Sequence, residues 1–237
     1  TSARTGSYDL WVSRPDGGGQ ELWVGTAAWD EYPRWAPDGQ RLSFSSTAKT
    51  NGVDNSEIWV RQSNGSLVRV TTSQAEDQWA DWSPDGRLAY TEGFKADSNW
   101  DIYVSNADGS GRVVWLGGPT CDVQPTWSPD GQWIAFLRVA ADSNGNGAID
   151  MEDMGDVWVG RVSGGGLRQL TVGIWATTPA WSPDGRWVAF ATLRDSNGSG
   201  TSDGADDADI LAVPFEGGDA VALVSGPARD GDPSWTR

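Results

Sequence analysis

The sequence predicts an all-β fold, a five-bladed β-propeller of four-stranded antiparallel blades closed by strands from both termini. Three observations predict it. A Trp-x-Pro-Asp-Gly segment recurs along the whole chain, each copy is followed by short strand-like runs separated by tight turns, and the two ends carry complementary pieces of one further repeat. Repeats of about 40–50 residues with several strands each are the signature of propeller blades.

The copies read "PRWAPDGQRLSF" from Pro33, "ADWSPDGRLAY" from Ala80, "PTWSPDGQWIAF" from Pro125 and "PAWSPDGRWVAF" from Pro179, with a short copy, "PSWTR", at 233–237. Trp35, Trp82, Trp127, Trp181 and Trp235 are spaced by 47, 45, 54 and 54 residues. In each repeat a first strand ends at the tryptophan. Pro-Asp-Gly then turns the chain, because proline presets φ and glycine accepts a positive φ. A second, apolar strand follows, such as "WIAF" at 133–136. After a variable loop comes an alternating third strand, such as "DIYV" at 101–104 or "DVWV" at 156–159. A Gly-rich turn leads to the fourth, such as "RQLT" at 168–171. The N-terminal "YDLWVSRPDGGGQELWV" supplies a third and a fourth strand, and "PSWTR" supplies a first. The expected blades span about 26–72, 73–117, 118–172, 173–225, and 226–237 joined with 1–25, in a single domain. The second strand of the closing blade falls to Thr1–Thr5, which are not apolar; filling by a segment of another copy is the alternative.

The pattern "PxWSPDGxxIAF…DIYV" resembles the TolB-like, WD40-type propeller repeat. The resemblance covers nearly the whole chain in four full copies. It implies a propeller fold, although members often have six or seven blades. The family hosts protein-docking modules and propellers attached to peptidases, so the resemblance implies little about activity.

One loop is built differently from the others. "DSNGNGAID" at 142–150 lies between the second and third strands of the third blade. It matches the calcium-loop pattern D-x-[DN]-x-[DN]-G, as in dockerin-like insertions, here between strands instead of helices. Asp142, Asn144 and Asn146 are the expected first ligands, and Gly147 makes the bend. Ala148 offers its carbonyl, Asp150 binds directly or through water, and Asp153 closes the shell. The fourth blade repeats the register with Asp195, Asn197, Ser199, Thr201, Asp203 and Asp206, although Ser202 stands where the pattern wants an apolar residue. Asp156 and Asp209 follow each loop and are further candidates. An oxygen-only ligand set favours Ca2+ over zinc, and the expected role is structural. The competing reading is an Asn/Asp/Gly turn without metal.

A second constellation stands five positions before each key tryptophan: Asp30, Asp77, Asp122, Ala176 and Asp230. These residues enter the innermost strands. They are expected to ring the mouth of the central channel, near Trp29, Tyr32, Trp79 and Trp175. Either each aspartate caps its own turn, or together they form a carboxylate ring for a cation, a basic peptide or a sugar.

Composition narrows the function. Thirty-three acidic against 17 basic residues give a net charge of −16, which disfavours nucleic acid and anionic membranes as partners. No apolar run is long enough to span a bilayer, so no membrane insertion is expected. There is no histidine, which removes the commonest general base. The one cysteine, Cys121, reads as a small buried hydrophobe. Gly200-Thr201-Ser202-Asp203-Gly204 has the form of a hydrolase elbow but lies in a predicted metal loop, with no histidine for a triad. Asn64-Gly65-Ser66 and Asn197-Gly198-Ser199 are glycosylation sequons in form only. Most of the 16 tryptophans read as blade packing. The expected function is a non-enzymatic, calcium-stabilised protein-interaction or assembly module, secreted, on the cell surface or periplasmic. A structural subunit of an extracellular filament and a glycan-binding or carboxylate-based glycan-active propeller are the alternatives.

Overall fold

The structure is a computed structural model that describes residues 8–48, 55–94, 99–143, 145, 147, 149, 153, 155–194, 207–226 and 230–235. Its strands are β1 (Leu10–Val12), β2 (Glu21–Val24), β3 (Asp30–Trp35), β4 (Leu42–Ser46), β5 (Glu57–Arg61), β6 (Leu67–Arg69), β7 (Glu76–Trp82), β8 (Arg87–Phe94), β9 (Asn99–Asn106), β10 (Val113–Leu116), β11 (Cys121–Trp127), β12 (Trp133–Val139), β13 (Gly155–Arg161), β14 (Arg168–Gln169), β15 (Ala176–Trp181), β16 (Trp187–Arg194), β17 (Asp207–Pro214) and β18 (Val221–Val224). They form four meandering four-stranded sheets, β3–β6, β7–β10, β11–β14 and β15–β18, and a two-stranded sheet, β1–β2. All ladders are antiparallel. The fold is an all-β propeller.

The expectation of five four-stranded blades needs a correction at the fifth position. There the described residues hold only the hairpin β1–β2 and the segment 230–235, which enters no ladder. Thr1–Thr5, expected as the second strand, lie outside the described residues, and in the four other blades the inner and third strands pair only through that second strand.

The Pro-Asp-Gly turns form as predicted. In the second blade Ser83 N donates to Arg87 O at 2.9 Å and Gly86 N to Ser83 O at 3.0 Å, with Gly86 at φ +87°. A side chain there would incur the left-handed penalty, as it would at Gly39, Gly131 and Gly185 in the other turns.

The second strands carry the core through an alternation of large and small residues. Leu42 and Phe44, Leu88 and Tyr90, Ile134 and Phe136, and Val188 and Phe190 are all buried, and so are Ser43, Ala89, Ala135 and Ala189 between them. The large face of one blade packs on the small face of the blade before it. Val188 and Phe190 cluster with Ala135, Val157 and Val159, Ile134 with Ala89 and Val104, and Leu42 and Phe44 with Leu10 and Val24. Hydrogen bonds repeat across the same seams. Trp82 Nε1 donates to Arg34 O at 3.1 Å, Trp181 Nε1 to Thr126 O at 3.2 Å and Trp235 Nε1 to Ala180 O at 3.1 Å. Backbone bonds follow suit: Asp30 N to Tyr8 O at 2.7 Å, Asp77 N to Ser56 O at 2.8 Å and Asp230 N to Ala208 O at 2.8 Å.

Candidate functional site: the mouth of the central channel

Each inner strand carries a bulge, marked by register shifts at Glu31/Arg34, Gln78/Asp81, Val123/Thr126 and Thr177/Ala180. In every bulge one residue is left-handed: Tyr32 (φ +54°), Trp79 (+55°), Gln124 (+55°) and Thr178 (+49°). Asp232 (+50°) takes the same conformation in the fifth segment. These are the five non-glycine residues with positive φ among the described residues. Left-handed backbone costs about 1–2 kcal/mol for a residue with a Cβ, and most for β-branched or bulky ones. The aspartate that sequence reasoning singled out stands two positions earlier. Thr178→Gly is therefore expected to raise stability by roughly 0.5–1 kcal/mol, the relieved strain less the entropy glycine adds to the unfolded chain. Urea melts check this, and a less stable variant would show that the bulge carries no strain.

Two neighbouring pairs of these residues touch. Tyr32 and Trp79 stand 5.5 Å apart between ring centroids, and Trp79 rests 6.2 Å from the buried Trp100. Gln124 Oε1 accepts from Thr178 N at 2.7 Å, and Gln124 N donates to Thr91 Oγ1 at 3.2 Å. Burial raises the Tyr32 pKa above its ordinary value, and the negative charges of Glu31 and Asp232 add to the shift. Beside this arc Trp29 meets Tyr8 edge-on at 5.4 Å. Trp29 is 55% exposed and Tyr32 39%. One side of the mouth is thus aromatic and exposed, and the other offers an amide, a hydroxyl and a carboxylate. Such a surface binds apolar or cationic groups with little ordering cost.

Three of the four aspartates predicted to ring the channel mouth are fully buried. Asp30, Asp77 and Asp122 have no exposed surface. Asp30 accepts from Ser46 Oγ and from Thr26 N and Oγ1 at 3.2 and 3.1 Å. Asp122 takes a bidentate pair from Arg138, Nε at 2.7 Å and Nη2 at 2.8 Å. Asp77 accepts from Ser73 Oγ at 3.0 Å. Burial lifts the pKa of all three. For Asp77 the neighbouring Glu92 adds to burial, and its pKa rises to about 9. Asp77 is then a neutral acid at pH 7, with its proton shared toward Glu92, whose carboxylate pairs with Arg112. Asp230 is half-buried and held through its backbone by Ala208. Trp175 is half-buried.

A second row of carboxylates, which the ring search missed, opens the third strands. Glu57 accepts from Arg69 Nη2 at 2.6 Å and Thr71 Oγ1 at 2.7 Å. Asp156 accepts from Thr171 Oγ1, Gln169 Nε2, Gly173 N and Ile174 N at 3.0–3.2 Å. Asp101 and Asp209 accept from Gly118 N and Gly226 N at 3.2 and 3.3 Å. They cap the connection that leaves each blade. Asp156 is thus tied to its own inter-blade turn, away from the preceding loop. The recurring Asp or Glu before "IWV", "IYV" and "VWV" was the available signal.

In the first calcium-type loop the described residues are Asp142, Ser143, Gly145, Gly147, Ile149 and Asp153. Asp142 is exposed and accepts from Gly145 N at 2.6 Å and Gly147 N at 2.8 Å. Asp153 is buried and accepts from Ser143 N at 2.8 Å. The loop therefore winds about the first carboxylate and closes on the last. Asn144, Asn146, Ala148 and Asp150 lie outside the described residues, as do Asp195, Asn197, Ser199, Thr201, Asp203 and Asp206. Among the described residues no three acidic side chains converge as metal ligands. Cys121 is buried and, as the one cysteine, forms no disulfide within the chain.

No protein-family profile matches the chain. The Tol-Pal system protein TolB of Anaeromyxobacter dehalogenans is 30% identical over 123 residues, covering 52% of this chain and 27% of that protein. The crystal structure of TolB from Acinetobacter baumannii superposes with a TM-score of 0.67 at 17% identity, over 91% of this chain and 48% of that one. The fold is a TolB-like β-propeller. An oligogalacturonate lyase in complex with manganese shares it, with a TM-score of 0.65 at 14% identity over 95% of this chain and 61% of that one. The TolB-like fold thus carries both enzymes and the Tol-Pal protein, and the chain spans less than two thirds of the length of the curated relatives it matches.

Proposed function

We propose that this TolB-like propeller is a non-catalytic, calcium-stabilised binding module outside the cytoplasm, which docks a protein partner at the mouth of its channel. The aromatic arc of the exposed Trp29 and Tyr32 and the half-buried Trp79, with Tyr32 and Trp79 held in strained backbone on their strands, carries the reading. Strain retained at a surface is a mark of function, since a glycine would relieve it. Aromatic side chains on a fixed scaffold are also the usual anchors of protein interfaces. The likeness to the Tol-Pal protein supports a protein partner. Photo-crosslinkers at position 29 and at the outer position 67 should capture different proteins. The mouth reading expects a specific partner at position 29, lost in Trp79→Ala. A glycan that binds the mouth, or turnover of a glycan, would replace it.

The ring is closed in this reading by a fifth blade. The bond of Asp230 N to Ala208 O, which ties 230–235 to the fourth blade, and that of Asp30 N to Tyr8 O, which ties the segment before β1 to the first, support it. Calcium in the 142–153 loop, and in its counterpart at 195–206, stabilises the third and fourth blades. The winding of the backbone about Asp142 favours the first site. Calcium at a hundredfold excess over Kd is expected to add about 2.7 kcal/mol to stability, and chelation to remove it. Melting curves and metal content unchanged by chelator would leave both loops as plain turns.

A further inference from the structure

The seam between the third and fourth blades is built from other parts than the two before it. In each blade the backbone N–H after the key tryptophan donates across the Pro-Asp-Gly turn to the residue at the head of the second strand. Ala36 N donates to Arg41 O, Ser83 N to Arg87 O and Ser128 N to Trp133 O, each at 2.9 Å. Arg41, Arg87 and Trp133 thus hold one structural position. Each arginine reaches over the key tryptophan of the next blade, Arg41 at 4.9 Å from the Trp82 ring and Arg87 at 5.0 Å from that of Trp127. The carboxylate of its own turn holds it, Asp38 at 2.6 Å and Asp85 at 3.0 Å. In the third blade Trp133 turns instead onto Phe215 at 5.1 Å, and Phe215 meets the key tryptophan Trp181 at 5.2 Å. The turn carboxylate is still present. Asp130 is exposed, and its Oδ1 accepts from Ser128 Oγ at 2.5 Å and Gln132 N at 3.0 Å. Asp184 of the fourth turn pairs with Arg186 at 2.7 Å, so among the described residues Asp130 is the one turn aspartate of the four with no arginine paired to it. A pocket of about 320 Å³ lies between Asp130, Asp184, Trp133, Trp181 and Phe215, and every residue that lines it is described. Arg161 and Arg168 lie over the Trp133 and Phe215 rings at 4.8 and 4.7 Å without lining it.

We propose that this pocket binds the guanidinium group of arginine, carried either by a side chain of another protein or by the free amino acid. The two preceding seams display the chemistry: a planar cation rests on an aromatic ring with a carboxylate at its edge. Here the aromatic wall and the carboxylate are in place, and the cation is the part the sequence omits. The volume lies at the lower end of small-ligand sites, about 300–1,000 Å³. The net charge of −16 draws cations toward the protein. The site shares no residue with the channel mouth and goes beyond the docking proposed there.

The probe is the blocked tripeptide acetyl-Gly-Arg-Gly-amide, titrated into the full chain and followed by NMR of the tryptophan indole N–H groups. Saturable shifts are expected. The citrulline counterpart keeps the shape without the charge and should bind at least about tenfold more weakly. Asp130→Asn should weaken the arginine peptide about threefold, as loss of a partly exposed charge pair. Its amide oxygen can still accept from Ser128 and Gln132, so the turn persists. Asp108→Asn removes the same charge from a different turn and should leave binding unchanged. Trp133→Arg supplies a guanidinium within the chain, as in the two preceding seams, and should abolish binding. Melting curves will show that the variants fold, and should Trp133→Arg unfold, Asp130→Asn decides alone. No saturation with the arginine peptide, equal binding of the citrulline peptide, or binding that Asp130→Asn leaves unaltered overturns the proposal. Free arginine is the second arm. Binding as tight as the peptide's supports the site and makes the amino acid its ligand, and weaker binding supports a side chain carried by a partner.

Discussion

Arg138→Met is expected to destabilise the fold by about 3–5 kcal/mol, because it leaves a buried carboxylate without its counter-charge. Asp122 has no exposed surface, and Arg138 holds both of its oxygens. The guanidinium also lies 5.1 Å from the Trp158 ring, so methionine keeps part of the packing and removes the charge. Even with Arg138 present, burial keeps the Asp122 pKa above its ordinary value. Without it, that pKa rises further. A carboxyl whose folded pKa is raised contributes stability that is present at low pH and is lost as pH increases through the folded pKa. The deficit should therefore be small near pH 4 and full near pH 8. Asp122→Asn in the same background should recover most of the loss, since an amide carries no charge to desolvate. Urea melts of the single and double variants test this. A double variant no more stable than Arg138→Met at pH 8 would assign the loss to packing.

Asp77→Asn is expected to do the opposite and stabilise the protein at alkaline pH. Asp77 is the buried member of a carboxyl pair, with a pKa raised to about 9 by burial and by the charge of Glu92. The folded state holds this proton and the unfolded state releases it above about pH 4. Stability should then fall as pH rises from the unfolded toward the folded pKa of this group. Asparagine donates to Glu92 as the neutral acid does and accepts from Ser73, without a proton to lose. Its profile should be flatter, with a gain that grows from pH 6 upward. Asp30, Asp81, Asp101 and Asp122 are shifted in the same direction, so a weaker slope of the same sign should remain. Parallel profiles for wild type and variant would show that Asp77 is ionised in the fold.

What the sequence determined by itself was the repeat and its local chemistry. Trp-Ser-Pro-Asp-Gly is legible because a tight turn depends on four adjacent residues, and all four described turns formed where it predicted. The apolar runs "WIAF" and "WVAF" likewise read as buried strands, and Ile134–Phe136 and Val188–Phe190 are buried on both faces. Tertiary structure decided the rest. Asp122 meets Arg138 and Asp77 meets Glu92 only because a particular register sets them opposite across two strands. Hence aspartates that read as one ring became buried residues, each with its own partners. The left-handed Tyr32, Trp79, Gln124 and Thr178 gave no local sign, as none is a residue that favours that conformation. A bulge in each inner strand forces it.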